Sequence, residues 1–176
     1  HWLDLARFAE TDGFEFDAVR PNAWRYRDWV VQAINADLPY DQFVRLQLAG
    51  DELRPADPDA AIATGFLLCG PDMPDINLVE ERRHNFLNDM TGTVSSVLLG
   101  LTLQCASCHD HKYDPLSQAD FYRLRAFFDA ADIFGEREIP TPEDLAARQQ
   151  FEADRALRWK QLESDIAALK KQNERD

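Results

Sequence analysis

The stretch VEERRHNFLNDMTGTVSSVLLGLTLQCASCH, residues 79–109, decides how this chain is read. Apolar residues recur in it at Val79, Phe86, Met90, Val94, Val97, Leu98 and Leu101. Those spacings gather on one face of an α-helix. Asn77 and Glu80 have the form of a capping box at its start. Gly92 and Gly100 weaken such a helix without having to break it. The pattern therefore predicts one helix running from Asn77 to Cys105 and Cys108, with Pro115 closing the region.

Working outward, the same period recurs in shorter pieces. Trp2, Leu5, Ala6 and Ala9 predict a first helix, stopped at Thr11-Asp12-Gly13. Phe14 to Val19 alternates enough to be a short extended segment. Pro21 and Asn22 open a second helix with Tyr26, Trp29, Val30, Ala33 and Ile34 on one face. Pro39 opens a third, with Tyr40, Phe43, Val44 and Leu48 as its stripe and Gly50 as its stop. Asp57 caps a fourth through Ile62, ended by Gly65. Cys69 to Asp75 holds two Pro and a Gly and reads as a loop. Ser117 caps a further helix that buries Phe121, Leu124, Phe127 and Phe128. Thr141 and Pro142 start a long helix, whose heptad spacing is clean at Trp159, Leu162, Ile166 and Leu169. The expected fold is all-α: an irregular helical domain over residues 1–140, then a long helix over 141–176. That last helix reads as the start of a hairpin or coiled-coil arm that packs on another helix.

Composition narrows the function. The chain has 176 residues, 45% of them hydrophobic, enough for one well-cored domain and too many for a disordered chain. The net charge is −13, with Asp+Glu at 32 against Lys+Arg at 19. Such a surface repels phosphate backbones and anionic membranes, so nucleic-acid partners are not expected. The longest apolar stretch, Val94 to Leu103, is about half the roughly 20 residues that span a bilayer, so no membrane span is expected. The chain opens on His1 without a Met and without a basic-then-apolar leader, as an excerpt or a processed chain would.

Chemistry concentrates in Cys105-Ala106-Ser107-Cys108-His109. C-x-x-C-H is the attachment signature of c-type haem. Two thiols about one helical turn apart can add to the two porphyrin vinyl groups, and the adjacent imidazole then faces the iron as proximal ligand. Competing readings are a zinc site using Cys105, Cys108, His111 and Cys69, a redox dithiol or closed disulfide, and a haem enzyme with an open sixth position. His111 is too close to His109 to reach the opposite haem face, so a loop hydrogen bond or a propionate contact is expected of it. Met90 lies 19 residues before His109, roughly 28 Å along a continuous helix at about 1.5 Å per residue. His84 is further still. That leaves His1, on a separate helix with Leu5 and Phe8, as the expected second iron ligand beside His109.

Other polar groups have blander alternatives. Lys112 and Tyr113 suit either propionates or a solvated loop. Asp110 and Asp114 suit either orienting His109 or capping a helix. Cys69 reads as a buried or loop thiol. Glu10, Asp12, Glu15 and Asp17 lack EF-hand order and read as a solvated acidic loop. Trp24, Tyr26 and Trp29 read as core. There is no Ser–His–Asp order, phosphate-cradling glycine loop or H-E-x-x-H, so no catalytic residue is assigned.

Four blocks carry a family resemblance: HWLDLARFAETDGFEFDAVRPNAWRYRDWVVQAIN (1–35), LPYDQFVRLQLAGDEL (38–53), ATGFL (63–67) and LLGLTLQCASCHDHKYDPLSQADFYRLRAFF (98–128). Together they resemble the domain of unknown function that accompanies planctomycete-type cytochrome c modules, the PSCyt family. The resemblance implies large secreted or envelope proteins of bacteria, with further cytochrome and partner domains. It implies no established reaction. His1 falls on the His of the family's H-W-L-D block. Two departures stand out: Met90-Thr91-Gly92-Thr93 where many relatives have Thr-Thr-Gly, and Gln104 where Gly is common. The expected protein is thus a periplasmic or extracellular electron-transfer domain, holding haem c and serving a redox partner or further domains of the same polypeptide.

Overall fold

The structure is a computed structural model that describes residues 1–13, 17–73, 76, 78–135, 139 and 142–173. It is all-α, with no strand among the described residues. The helices are α1 (Trp2–Ala6), α2 (Ala23–Asn35), α3 (Tyr40–Leu53), α4 (Pro58–Ala63), α5 (Val79–Val94), α6 (Gln118–Arg125) and α7 (Pro142–Asn173). Short 3₁₀ turns cover Thr64–Leu68 and Leu103–Ser107. The chain divides into two compact units, His1–Glu136 and Arg137–Asp176.

The main core of the first unit is aromatic. Trp29 stacks on Phe43 with ring centroids 5.3 Å apart, and Trp2 meets Phe43 edge-on at 4.8 Å. Phe66, Leu87, Met90 and Val30 are among the other side chains buried there. The amide of Gln47, buried among them, is satisfied, as burial demands. Gln47 is 1% exposed. Its Oε1 accepts from the Trp2 indole at 2.8 Å and the Tyr26 hydroxyl at 2.6 Å, and its amide donates to the Phe43 carbonyl. Burial pushes the Tyr26 phenol well above its ordinary pKa. Trp24, expected in this core, is instead exposed.

Several boundaries fall elsewhere than the pattern predicts. α1 stops at Ala6 because Arg7 turns left-handed, φ 62°. The Phe8 N–H then closes on the Leu3 carbonyl at 2.9 Å, and the Arg7 guanidinium reaches Asp89 at 2.6 Å. α3 runs past Gly50 to Leu53, with a kink at Ala49. Asp57 caps α4 as expected, its carboxylate accepting from the Asp59 N–H at 3.0 Å. Thr11 and Val19 form an isolated antiparallel bridge; residues 14–16, the middle of the predicted extended segment, lie outside the described residues. So do Asn77 and Asp75. The N-cap of α5 is Leu78, with no side-chain cap bond.

The largest correction concerns the long central helix. α5 ends at Val94, widens into a π-turn over Ser95–Leu99, and stops at Gly100. Gly100 takes φ 65°, a left-handed conformation that suits a residue without Cβ. Ser95 fixes the reversal. Its carbonyl accepts from the Leu101 N–H at 3.2 Å, and its buried hydroxyl donates to the Leu101 carbonyl at 2.8 Å. The apolar stripe does not distinguish a continuing helix from a reversal that repacks the same residues, so the C-x-x-C-H leaves the helix altogether.

α6 starts where the sequence predicts. Ser117 and Asp120 form a reciprocal capping box. Phe121 is fully buried and Phe128 is 8% exposed, but Phe127 is 83% exposed rather than buried. α6 ends at Arg125, and the turns that follow, closed by the Phe127 N–H on the Leu124 carbonyl and the Phe128 N–H on the Arg125 carbonyl, set which ring faces the core.

Two arginines, Arg20 and Arg82, strap the loop between Leu68 and Met73, and a third, Arg7, bonds α5 beside it. Arg20 bonds Asp12 at 2.7 Å, the Leu68 carbonyl at 3.1 Å and the Gly70 carbonyl at 2.8 Å. Arg7 holds Asp89, and Arg82 grips both oxygens of Asp72. The Arg82 guanidinium holds the Asp72 carboxyl below the usual carboxylate range. A depressed folded-state pKa contributes stability that is fully present above the unfolded value of about 3.9 and is lost as pH falls through the folded value. Asp72→Asn should therefore be less stable than the native chain at pH 7, by no more than about 1 kcal/mol given the partly exposed pair. The gap should close below about pH 4. Urea titrations of both proteins at the two pH values check this; a gap that widens in acid would contradict it.

In the second unit, α7 is 32 residues long. Pairs one turn apart line it, such as Arg148 with Glu152 and Trp159 with Glu163. Trp159, Leu162 and Ile166 stand more than half exposed. The side chain of Leu169, fourth of that stripe, is outside the described ones. No helix among the described residues is long and apolar enough to cross a membrane.

Candidate functional site

The C-x-x-C-H sits on the 3₁₀ turn Leu103–Ser107 and the residues after it. This turn packs against α5, α6 and the π-turn. A small second core anchors it: Leu103 and Ala106 bury against Phe121, with Leu116 and Leu124 around them. Gln104 lies on Gly92, where a Cβ would meet its side chain at 2.1 Å. The two departures from the family pattern, the Met90–Thr93 segment and Gln104, thus meet each other through Gly92. Ala106, the first x of the motif, faces inward with no exposure, which turns its neighbours outward.

Cys105 and Cys108 are free thiols and both are exposed. His109 is exposed too. Its Nδ1 lies 2.7 Å from the Asp110 carbonyl oxygen. A carbonyl only accepts, so Nδ1 carries the proton and the neutral ring keeps its lone pair on Nε2. This is the tautomer a metal-ligating imidazole needs, with its orientation set by the other nitrogen.

His111 does different work. Its Nδ1 accepts from the backbone N–H groups of Asp114 at 2.9 Å and Tyr113 at 3.3 Å. Nε2 then carries the proton and donates to Thr102 Oγ1 at 3.1 Å. Its own N–H reaches the Leu116 carbonyl at 2.8 Å. His111 therefore pins the loop after the motif, the loop hydrogen bonding that its closeness to His109 leads one to expect. Asp110 accepts from the Gln118 N–H at 2.8 Å, tying the motif to the start of α6, as the capping reading expected. The Gln118 amide and the Tyr122 hydroxyl both donate to the Ser107 carbonyl, at 3.1 and 3.2 Å. Neither was singled out in the sequence, since their signal is positional rather than compositional. Lys112 lies 5.2 Å from the Tyr113 ring centre, in the exposed loop.

The other expected participants lie apart. Cys69 is buried and bonds the Gly65 carbonyl at 3.2 Å, its thiol pushed up to about 11 by burial. His1 is fully exposed at the tip of α1. Among the described residues no three His, Cys, Asp or Glu side chains gather where a metal ion would be held. The zinc set of Cys105, Cys108, His111 and Cys69 is therefore not assembled. A cavity of about 50 Å³ opens between Pro71, Asp72, Arg82, Phe86 and Asp89, away from the motif. It is far below the size of an organic cofactor pocket, about 300 Å³ upward.

With that geometry in place, comparison with known families is decisive for kinship. The family model PSCyt2, described as a protein of unknown function (DUF1549), matches residues 1–133. The chain belongs to the PSCyt2 family. The matched range spans α1 to α6 and so takes in the motif turn, its Phe121 anchor and the His111 pin of this PSCyt2 domain. α7 lies beyond it. No curated protein and no solved structure is similar to this PSCyt2 chain.

Proposed function

We propose that the chain is a c-type cytochrome domain. Cys105 and Cys108 would carry haem through thioethers, and His109 would be its proximal ligand. One observation carries the reading: both thiols and the His109 imidazole are displayed on one exposed turn, and the His109 ring is held with its lone pair on Nε2. The residues present fit the group. Leu99 and Leu101, 58% and 37% exposed just before the motif, supply apolar surface next to the thiols. Bound haem would supply one-electron chemistry; the chain's part is to hold it, through Phe121 and Ala106 beneath the turn and His111 beside it.

The function this supports is electron transfer within a larger periplasmic or extracellular assembly, because thioether attachment depends on a dedicated maturation system. The redox partner is another protein or further domains of the same polypeptide. The exposed Trp159, Leu162 and Ile166 of α7 suit packing on another helix.

The test is co-expression with a c-type maturation system, then denaturation in acid and organic solvent. Haem should remain on the polypeptide, read as the pyridine haemochrome of a c-type centre. Replacing both cysteines by Ser should release it. Quantitative extraction of haem from the unmodified chain, or a colourless protein, would overturn the proposal.

A further inference from the structure

We propose that no His or Met of this chain fills the second axial position of the haem iron, so that the chain by itself leaves that face open to a small exogenous ligand; the proposal rests on the cytochrome reading above. The chain holds four His and two Met, and every one of them is described. His109 is the proximal ligand. The remaining five can be placed one by one.

Met90 is 2% exposed inside the main core. Its separation from the motif does not come from distance along a helix, since α5 ends before the motif. It comes from phase. Gly92 is the α5 residue that touches Gln104, beside Cys105. Two residues turn a helix by about 200°, so Met90 points away from the face that meets the motif turn. Met73 lies by the small cavity with Arg82 and Phe86. Arg82 is ten residues before Gly92 on α5, about 15 Å along the axis at 1.5 Å per residue.

The three histidines are held in different ways. Arg125 only donates, so Nδ1 of His84 accepts from its guanidinium at 3.1 Å and the lone pair of the ring is spent there, leaving the proton on Nε2. Both nitrogens of His111 are engaged within its own loop. His1 is carried by α1, which Trp2 locks into the main core through Phe43, Phe66, Tyr26 and Gln47. The motif turn belongs to the separate core around Phe121. The other soft donor, Cys69, is buried and bonded to Gly65. The second unit contains neither His nor Met.

A haem iron with one protein ligand takes up carbon monoxide when ferrous and cyanide when ferric. One with two strong ligands resists both. The experiment uses the whole chain matured with haem. Pyridine haemochrome first establishes attachment. The ferric spectrum should be high-spin, and carbon monoxide should shift the Soret band of the reduced protein in a saturable, near-stoichiometric titration. His1→Ala should leave both unchanged. A low-spin spectrum that is inert to carbon monoxide overturns this proposal while leaving the cytochrome reading intact. So does a His1→Ala variant that alone becomes reactive, which would return His1 to the iron. Absence of covalent haem overturns both readings together.

Discussion

Phe121→Ala should cost the first unit about 3–5 kcal/mol, the usual range for removing a fully buried aromatic. Phe121 has no exposure and is the one large side chain between Leu103 and Ala106. The cluster is too small to collapse around the void, so the cost belongs at the upper end of that range. Native domains hold only about 5–15 kcal/mol in total, so the loss should show as a lower urea midpoint with little change in slope. Phe127→Ala is the matched control. The same residue type six positions on is 83% exposed, and its removal should stay within about 0.5 kcal/mol. Equal effects at the two positions would mean that Phe121 does not carry the core beneath the motif turn.

Gln47→Leu should be the next most costly, at about 1–3 kcal/mol, although it conserves volume and adds apolar surface. The Trp2 indole keeps the Tyr26 oxygen, 3.1 Å away, as acceptor. The Tyr26 hydroxyl loses its acceptor and stays buried with an unsatisfied proton, which carries the full desolvation penalty of that group. Tyr26→Phe in the Gln47→Leu background removes the orphan, and thermal unfolding should then recover part of the loss. If the double variant is no more stable than Gln47→Leu alone, the hydroxyl is not what the amide satisfies.

How far the sequence led depended on which physics each residue obeys. The Asp57 and Ser117 caps stand where they were read, because capping is local and needs only the right side chain two or three residues ahead of an N–H. The faces of α2 and α3 were legible at Tyr26, Trp29, Val30 and Phe43, which repeat at the helical period, but Ile34 and Tyr40, read onto the same stripes, lie near the helix ends and are exposed. The Gly100 reversal was not, because periodicity is blind to it. Its decisive signal is the pairing of a small polar Ser95 with a glycine five residues later, and that pairing has meaning only once the chain has turned. Phe127 was misplaced because α6 ends at Arg125, and the helical period does not reach past it. At the motif, the residue types were plain, and the distance from His109 already pointed His111 to the loop. What the sequence could not give is the partner of each ring: Nδ1 faces a carbonyl in His109 and two amides in His111.

The Gly100 turn also shapes how the motif can move. Nearly every bond that shapes it is short-range in sequence: Thr102 to His111, Ser107 to Gln118 and Tyr122, Leu103 to Phe121. The aromatic core, by contrast, joins residues as far apart as Trp2 and Phe66. Low loop-closure entropy lets residues 101–122 open and reclose as one cooperative patch while the rest stays folded. Under the proposed cytochrome reading, an enzyme attaching haem at Cys105 and Cys108 would need to draw out that patch alone; whatever the cofactor, amide exchange there should run ahead of exchange in α2 and α3.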